Sequence, residues 1–354
     1  MCRSLLTDLS KATLQRLILL LVATGLGVFF SPTIAASQTK KMVVVNSDND
    51  TLSQANLDGT GGINLGDLNG TLSGPMNIAL DASSCKLYVT NGTDNTVSQA
   101  NLDGTGGVSL GNLGGTLDHP DGIALDVAAG KMYIANFQND TVAQANLDGT
   151  GAVSLGDLNG TLDFPSGIAL DVAAGKIYVT NFFIHTVSQA NLDGTGGVSL
   201  GNLDGTLNGP MGIALDLAAG KMYIVNWGGP GSVSQANLDG TGGVNLGGLN
   251  GTLNEPTGIA PDVAGGKMYV TNLNSNTVSQ ANLDGTGGVN LGNLGNTLDG
   301  PRAIVLYMSE ATVPTMTRWG QMALLLMICA SATWLIKRRN KSNQTGRKKQ
   351  WESG

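Results

Sequence analysis

The sequence is poor in the residues that most often carry chemistry. Its 354 positions hold three cysteines and two histidines, with 5% aromatic and 13% charged residues. Cys2 and Cys329 fall in the terminal segments, which leaves Cys85 alone in the body. That spacing excludes a disulfide framework and a Cys/His metal cluster, and Cys85 reads as a packed small residue. Charge of one sign is scarce too: between Ala36 and Ile336 the chain carries 9 basic and 24 acidic side chains. Nucleic-acid binding rests on Lys and Arg neutralising phosphates, so so acidic a body excludes DNA or RNA as partner. No apolar run in the body reaches the ten or so residues a helix needs. What is abundant is glycine, 52 residues, alongside 41% apolar residues, a balance that suits a turn-dense β protein and not a disordered chain.

Long apolar runs occur only at the ends. Arg3, Lys11 and Arg16 precede the run Leu17–Phe30, and the small residues Ala35, Ala36 and Ser37 follow. That order predicts a secretory signal peptide over 1–36, an uncleaved anchor helix being the alternative. A second run, Trp319–Ile336, is followed at once by Lys337, Arg338, Arg339 and Lys341. It predicts a transmembrane helix over 319–336 and a basic cytoplasmic tail over 337–354, with a buried core helix as the bland alternative. On this reading the body is exported and tethered to the inner membrane, outside the cytoplasm, with release to the cell surface as a further step. The linker 308–318 and the start of the helix hold Val313, Pro314, Thr315, Met316, Trp319 and Gly320. This arrangement, with its helix and Arg/Lys cluster, resembles the IPTL-type C-terminal sorting signal, from which Val313 and Met316 depart conservatively. The resemblance covers about the last 40 residues and implies an exosortase-type membrane protease as partner, in an exopolysaccharide-producing setting.

Between the ends one unit recurs. Ala-Asn-Leu-Asp-Gly-Thr places its Asp at 58, 103, 148, 193, 239 and 284, at spacings of 45 or 46 residues. A Pro-x-Gly-Ile-Ala-Leu-Asp string begins at Pro75, Pro120, Pro165, Pro210 and Pro256, and in degraded form at Pro301. A third, close to Lys-Met-Tyr-Val-x-Asn, begins at Lys41, Lys86, Lys131, Lys176, Lys221 and Lys267. Each unit holds four short apolar runs, for instance Gly122–Val127, Lys131–Asn136, Thr141–Leu147 and Ala152–Leu155, separated by Gly-rich turns. Four strands per 45 residues is the pattern of a propeller blade. The chain enters at the second strand type and leaves at the first, so six of each result. The expected fold is all-β: a six-bladed β-propeller over 41–307, closed by a C-terminal first strand pairing with three N-terminal strands. An open solenoid of hairpins is the alternative.

The same strings resemble the YWTD propellers of low-density-lipoprotein-receptor type. Tyr88-Val89-Thr90-Asn91 and Tyr178-Val179-Thr180-Asn181 are similar to YVTN surface-protein repeats. YWTD rings have six blades and YVTN rings more, so the count of six favours the former. Fold is what such a resemblance implies; ligand is not.

Function should sit where the units differ. The turns Asp-Val-Ala-Ala-Gly-Lys and Asp-Gly-Thr-Gly-Gly change little. The loops between second and third strands, and the residues flanking each first-strand Pro, vary. Every Phe of the body (Phe137, Phe164, Phe182, Phe183), both histidines (His119, His185) and its one tryptophan, Trp227, fall there. Aromatic side chains on loops beside polar neighbours predict a ligand-binding patch, with a sugar ring stacking on Trp227 or Phe182; a surface protein is the other ligand class, and drift in unselected loops the alternative. A calcium loop is tested by setting Asp103-Gly104 at the fifth and sixth places. Gln99 then stands first and Leu110 twelfth, and the match fails. Turn chemistry accounts for the Asp-Gly pairs, and Asp81, Asp126, Asp171, Asp216 and Asp262 should cap the turns after the first strands. No catalytic residue, cofactor or metal site is expected. The rival is a metal-dependent lactonase-like hydrolase with a central-channel site, for which Glu255, Asp121 and His119 are the candidates.

Overall fold

The computed structural model describes residues 39–309. The signal peptide at 1–36, the sorting motif at 313–320, the membrane helix at 319–336 and the basic tail at 337–354 lie outside the described residues. Among the described residues no helix is long and apolar enough to cross a membrane.

Six four-stranded antiparallel sheets form six blades. Blades 2 to 6 are contiguous, spanning residues 75–109, 120–154, 165–199, 210–247 and 256–290. Blade 1 joins the two ends of the repeat array: Lys40–Asn46, Thr51–Asn56 and Ile63–Gly66 take Pro301–Met308 as their innermost strand. The pairing runs Lys41↔Tyr307, Met42↔Leu306, Val43↔Val305 and Val44↔Ile304. Beyond it Ser309 N donates to Thr39 O at 2.8 Å. Lys40 Nζ donates to the Asp262 carboxylate, linking blade 1 to blade 6. The ring is closed as the phase of the repeats requires.

Each blade lies between two others, and this explains the composition of its strands. The second strand, such as Lys131–Asn136, is an interior strand of its sheet and is buried on both faces; only its Lys reaches the rim. A continuous apolar run is what such a position demands, in place of the alternation of a half-exposed strand. The core is therefore six wedges, one per seam. Between blades 3 and 4, Tyr133, Ala135 and Val142 meet Ile168, Ile177, Val179 and Ala190, with Leu158 and Leu162 of the connecting loop beneath. At the closing seam Met42, Val44, Ala55 and Ile304 meet Ala260, Tyr269 and Val278, with Leu294 and Leu298 beneath.

Glycine sets how closely the blades approach. A Cβ on Gly107, Gly197, Gly243 or Gly288 would overlap the carbonyl oxygen of Leu68, Leu158, Leu203 or Leu249 in the preceding blade connection. Blade 3 carries Ala152 at this position, and the loop it faces is the one that winds into a 3-10 turn, Leu113–Gly115. The extra methyl and the altered loop occur together, as close packing requires.

One expectation is revised. The outermost strands are interrupted where the apolar run is continuous: Ser154 and Val153 pair with Ala143 and Gln144, and then Leu155 N and Gly156 O both bond to Val142, a bulge that ends the regular ladder. The edge valine is exposed, and a two-residue edge offers little template for another chain. Cys85 sits at φ +57 in the turn after Pro75–Asp81 and is half-buried.

The turn assignments hold. Asp103 Oδ1 accepts from Thr105 N at 3.0 Å and Thr105 Oγ1 at 2.6 Å, and the other Asp-Gly-Thr turns repeat this. These bonds hold the Asp103 carboxyl below its ordinary range, the Thr105 hydroxyl contributing most. Asp81 and Asp126 accept from backbone N–H groups of the turns that follow them, Ser83 and Ala129. Both faces are as expected: Leu147 N donates to Gly130 O on the constant face, and Phe137 N to His119 O on the variable one.

Candidate functional site

On the variable face each blade contributes three residues to the mouth of the central channel. The residue before the first-strand Pro is left-handed in every blade: Gly74 (φ +56), His119 (+49), Phe164 (+49), Gly209 (+59), Glu255 (+50) and Gly300 (+61). Its carbonyl accepts from the N–H of the residue after the second-strand Asn, namely Gly92, Phe137, Phe182, Trp227, Leu273 and Ser47 in the same order. These second-strand asparagines are fully buried. Asn91 shows why: its Nδ2 donates to Thr71 O of the incoming loop, to Thr96 Oγ1 and to Ser98 Oγ. The loops that carry the variable side chains are thus pinned to the rigid interior strand.

Blades 3, 4 and 5 bear the aromatic residues, and the structure brings six of the seven predicted site residues into one array. Ring centroids lie 5.8 Å apart for His119–Phe137, 5.1 Å for Phe137–Phe164, 4.5 Å for Phe164–Phe183 and 5.1 Å for Phe182–Phe183. Those four meet edge to face, whereas Phe182–Trp227 at 6.0 Å is tilted. Edge-to-face contacts contribute about 0.5–1.5 kcal/mol each beyond burial, so the arc is a supported surface. Phe183 (56% exposed) and Trp227 (38% exposed) show their faces to solvent. The other half of the mouth is small: Ser47, Gly74, Gly92 and Gly300 stand where the aromatics would be.

His185 does not belong to the array. Its Nδ1 accepts from Gly209 N at 2.8 Å. Asn95, Asp140 and Asn276 use their side-chain oxygens in the same way on His119 N, Phe164 N and Gly300 N. His185 is a turn residue with an imidazole in place of a carbonyl or carboxylate, all at positive φ. The signal was present in the repeat alignment, where its counterparts are Asp50, Asn95, Asp140 and Asn276, with Gly231 in blade 5.

Just inside the mouth sits a ring from the post-proline positions: Met76, Asp121, Ser166, Met211, Thr257 and Arg302. All six stand among the variable positions of the sequence, and Asp121 is also a candidate of the metal rival. Ser166 Oγ donates to Asp121 Oδ2 at 2.7 Å, and both residues are buried. Burial pushes the Asp121 carboxyl up, against the Ser166 hydrogen bond and the charges of Arg302 and His119. Three threonines fix the backbone here: Thr90 and Thr180 Oγ1 donate to Asp121 O and Met211 O at 2.6 Å, and Thr271 Oγ1 to Arg302 O at 3.0 Å. The Thr of the Val-Thr-Asn strings therefore clamps the next blade's ring residue, in alternate blades. Deeper, the first strands line a channel of about 500 Å³ with residues such as Ile78, Ile123, Ala169 and Ile304. Among the described residues no three His, Cys, Asp or Glu side chains come together as metal ligands. Of the three candidates for the metal reading, His119 and Asp121 belong to blade 3 and Glu255 to blade 6, across the ring.

No family model matches the chain, and no curated protein matches it. Solved structures do resemble it in fold. A nidogen/laminin complex aligns with TM-score 0.63 at 18% identity, over 75% of this chain and 98% of that one. A streptogramin B lyase aligns with TM-score 0.50 at 12% identity, over 74% and 88%. Virginiamycin B lyase from Staphylococcus aureus aligns with TM-score 0.48 at 13% identity, over 77% and 82%. At these identities the likeness is one of fold.

The left-handed positions supply a test of whether the mouth is kept for binding. Three blades use glycine there without penalty, while His119 strains its backbone by about 1–2 kcal/mol and leaves Nδ1 buried without a hydrogen-bond partner. His119→Gly is expected to leave unfolding stability unchanged or to raise it by about 1 kcal/mol, despite the lost contact with Phe137. A fall of more than about 1 kcal/mol in thermal or denaturant unfolding would make the imidazole a structural element.

Proposed function

We propose that the propeller is a non-enzymatic binding module that takes a saccharide on the aromatic arc of Phe137, Phe164, Phe182, Phe183 and Trp227. The observation that carries this reading is the arc itself. Aromatic side chains from three consecutive blades form one connected series, edge to face from His119 to Phe182 and tilted at Phe182–Trp227, with Phe183 and Trp227 exposed, on the face where the repeats diverge. A sugar ring presents an apolar face of C–H groups that packs on an aromatic plane while its hydroxyls stay hydrated. Polysaccharide is also the ligand that suits the secretory and sorting signals in the sequence. The protein on this reading is exported and tethered by its C-terminal helix, then processed by an exosortase-type protease near the surface where polymer is made.

Titration of the full-length protein with a panel of neutral and acidic oligosaccharides tests the binding. Trp227→Ala and Phe182→Ala should each weaken the bound sugars by about tenfold, one stacking contact being of the order of 1 kcal/mol. Equal affinity in wild type and both variants would remove the arc from the account. Processing is tested separately by intact mass of the native protein, expected to lack everything beyond about Thr315; a full-length mass would count against it.

A further inference from the structure

Beneath the arc, the post-proline ring combines one guanidinium, one carboxylate and two hydroxyls with two methionines. The side chains of this ring meet one another around the axis: Ser166 Oγ lies 2.7 Å from Asp121 Oδ2 and 3.6 Å from Met211 Sδ. Arg302 departs from this pattern. Its Nε is buried, yet has no hydrogen-bond partner, and among the described residues no carboxylate pairs with its guanidinium. A buried donor left unmade costs about 1–3 kcal/mol, more for a charged group, and natural structures rarely leave one without a use. Asp121 is near enough for Arg302 to act on its charge but does not form an ion pair with it. Its hydrogen bonding is taken up by Ser166. The backbones of both charged residues are clamped by threonines of the preceding blades, Thr90 for Asp121 and Thr271 for Arg302. Nothing in the repeat consensus requires this: the other four blades place Met, Ser, Met and Thr at the position.

We infer that Arg302 is the anchor of an anion subsite, which takes the carboxylate of an acidic sugar residue in the polymer held on the arc. The inference rests on the saccharide reading and deepens it from sugars in general to carboxylated sugars. A guanidinium presents donors in a planar fork that matches a carboxylate, and in a desolvated ring such a charge-assisted pair is about twice as strong as a neutral hydrogen bond. The Thr257 hydroxyl borders the position from the neighbouring blade 6, where it donates to Pro301 O at 3.1 Å, and Ser166 stands across the ring in blade 4. Asp121 moderates the preference, since a carboxylate here opposes an anion while leaving a neutral sugar unaffected.

The full-length protein in detergent is titrated at pH 7 with hexagalacturonate, with its fully methyl-esterified form, and with a glutamate hexapeptide. The acid should bind at least tenfold more tightly than the ester. Arg302→Gln should abolish that preference while the ester keeps its wild-type affinity; Arg302→Lys, which keeps the charge without the fork, should retain part of it. Asp121→Asn should tighten the acid several-fold and leave the ester unchanged. Thermal unfolding of each variant confirms that the ring is intact. Equal binding of acid and ester by the wild type would overturn the inference and leave the saccharide reading standing. A preference that survives Arg302→Gln would do the same. Binding of neither sugar would sink both readings, and tight binding of the glutamate peptide with no dependence on Trp227 would reassign the subsite to an acidic protein partner.

Discussion

Two-sided burial of the blades is the constraint on which the rest of the structure depends. A second strand such as Lys131–Asn136 has no solvent face, so each blade needs a neighbour on both sides. Six blades meet this need only if the last seam is filled. At that seam Met42, Val44, Tyr269, Val278, Leu294 and Ile304 are all buried. At about 1.5–3 kcal/mol per large apolar side chain, exposing them would cost on the order of 10 kcal/mol. That is comparable to the whole net stability of a typical domain. Pairing of Pro301–Met308 with Lys40–Asn46 is therefore what allows the array to exist as a folded unit. Close approach is the corollary, and it explains the glycines at 107, 197, 243 and 288, whose hydrogens face a neighbouring carbonyl where no carbon would fit.

Closure also creates the site. A sealed ring of near-identical units has two faces, and the buried asparagines pin the loops of one of them without regard to the side chains they carry. The scaffold thus tolerates Phe, Trp, Gly or Ser at one loop position, and Asp, Arg, Ser or Met at the next. Divergence in blades 3 to 5 gives the aromatic arc; divergence in blades 1 and 3 gives Arg302 and Asp121. The symmetry of the frame and the asymmetry of its mouth come from different residues, and a change in one leaves the other intact.

The fold was legible in the sequence because its signals repeat. Six copies of each string average out local ambiguity, and the phase of the first and last copies announces the closing pair. The aromatic patch was legible because its residues are conspicuous against a consensus. What could not be read was direction and contact. His185 looked like the other variable residues, yet it replaces an Asx at a turn. Arg302 was one variable residue among several beside the first-strand prolines, and only the ring shows that its Nε is buried without a partner while its charge reaches Asp121. The fourth strands read as unbroken runs, since an apolar pattern does not mark the bulge at which Leu155 and Gly156 both bond to Val142.

Amide hydrogen exchange of the full-length protein tests the closed ring most directly. Closure predicts that Ala303–Leu306 exchange as slowly as the matching residues of the other first strands, for example Gly167–Leu170, because each is paired to the second strand of its own blade. Fast exchange at 303–306 with protection elsewhere would show an open array, and the binding mouth would lose its frame.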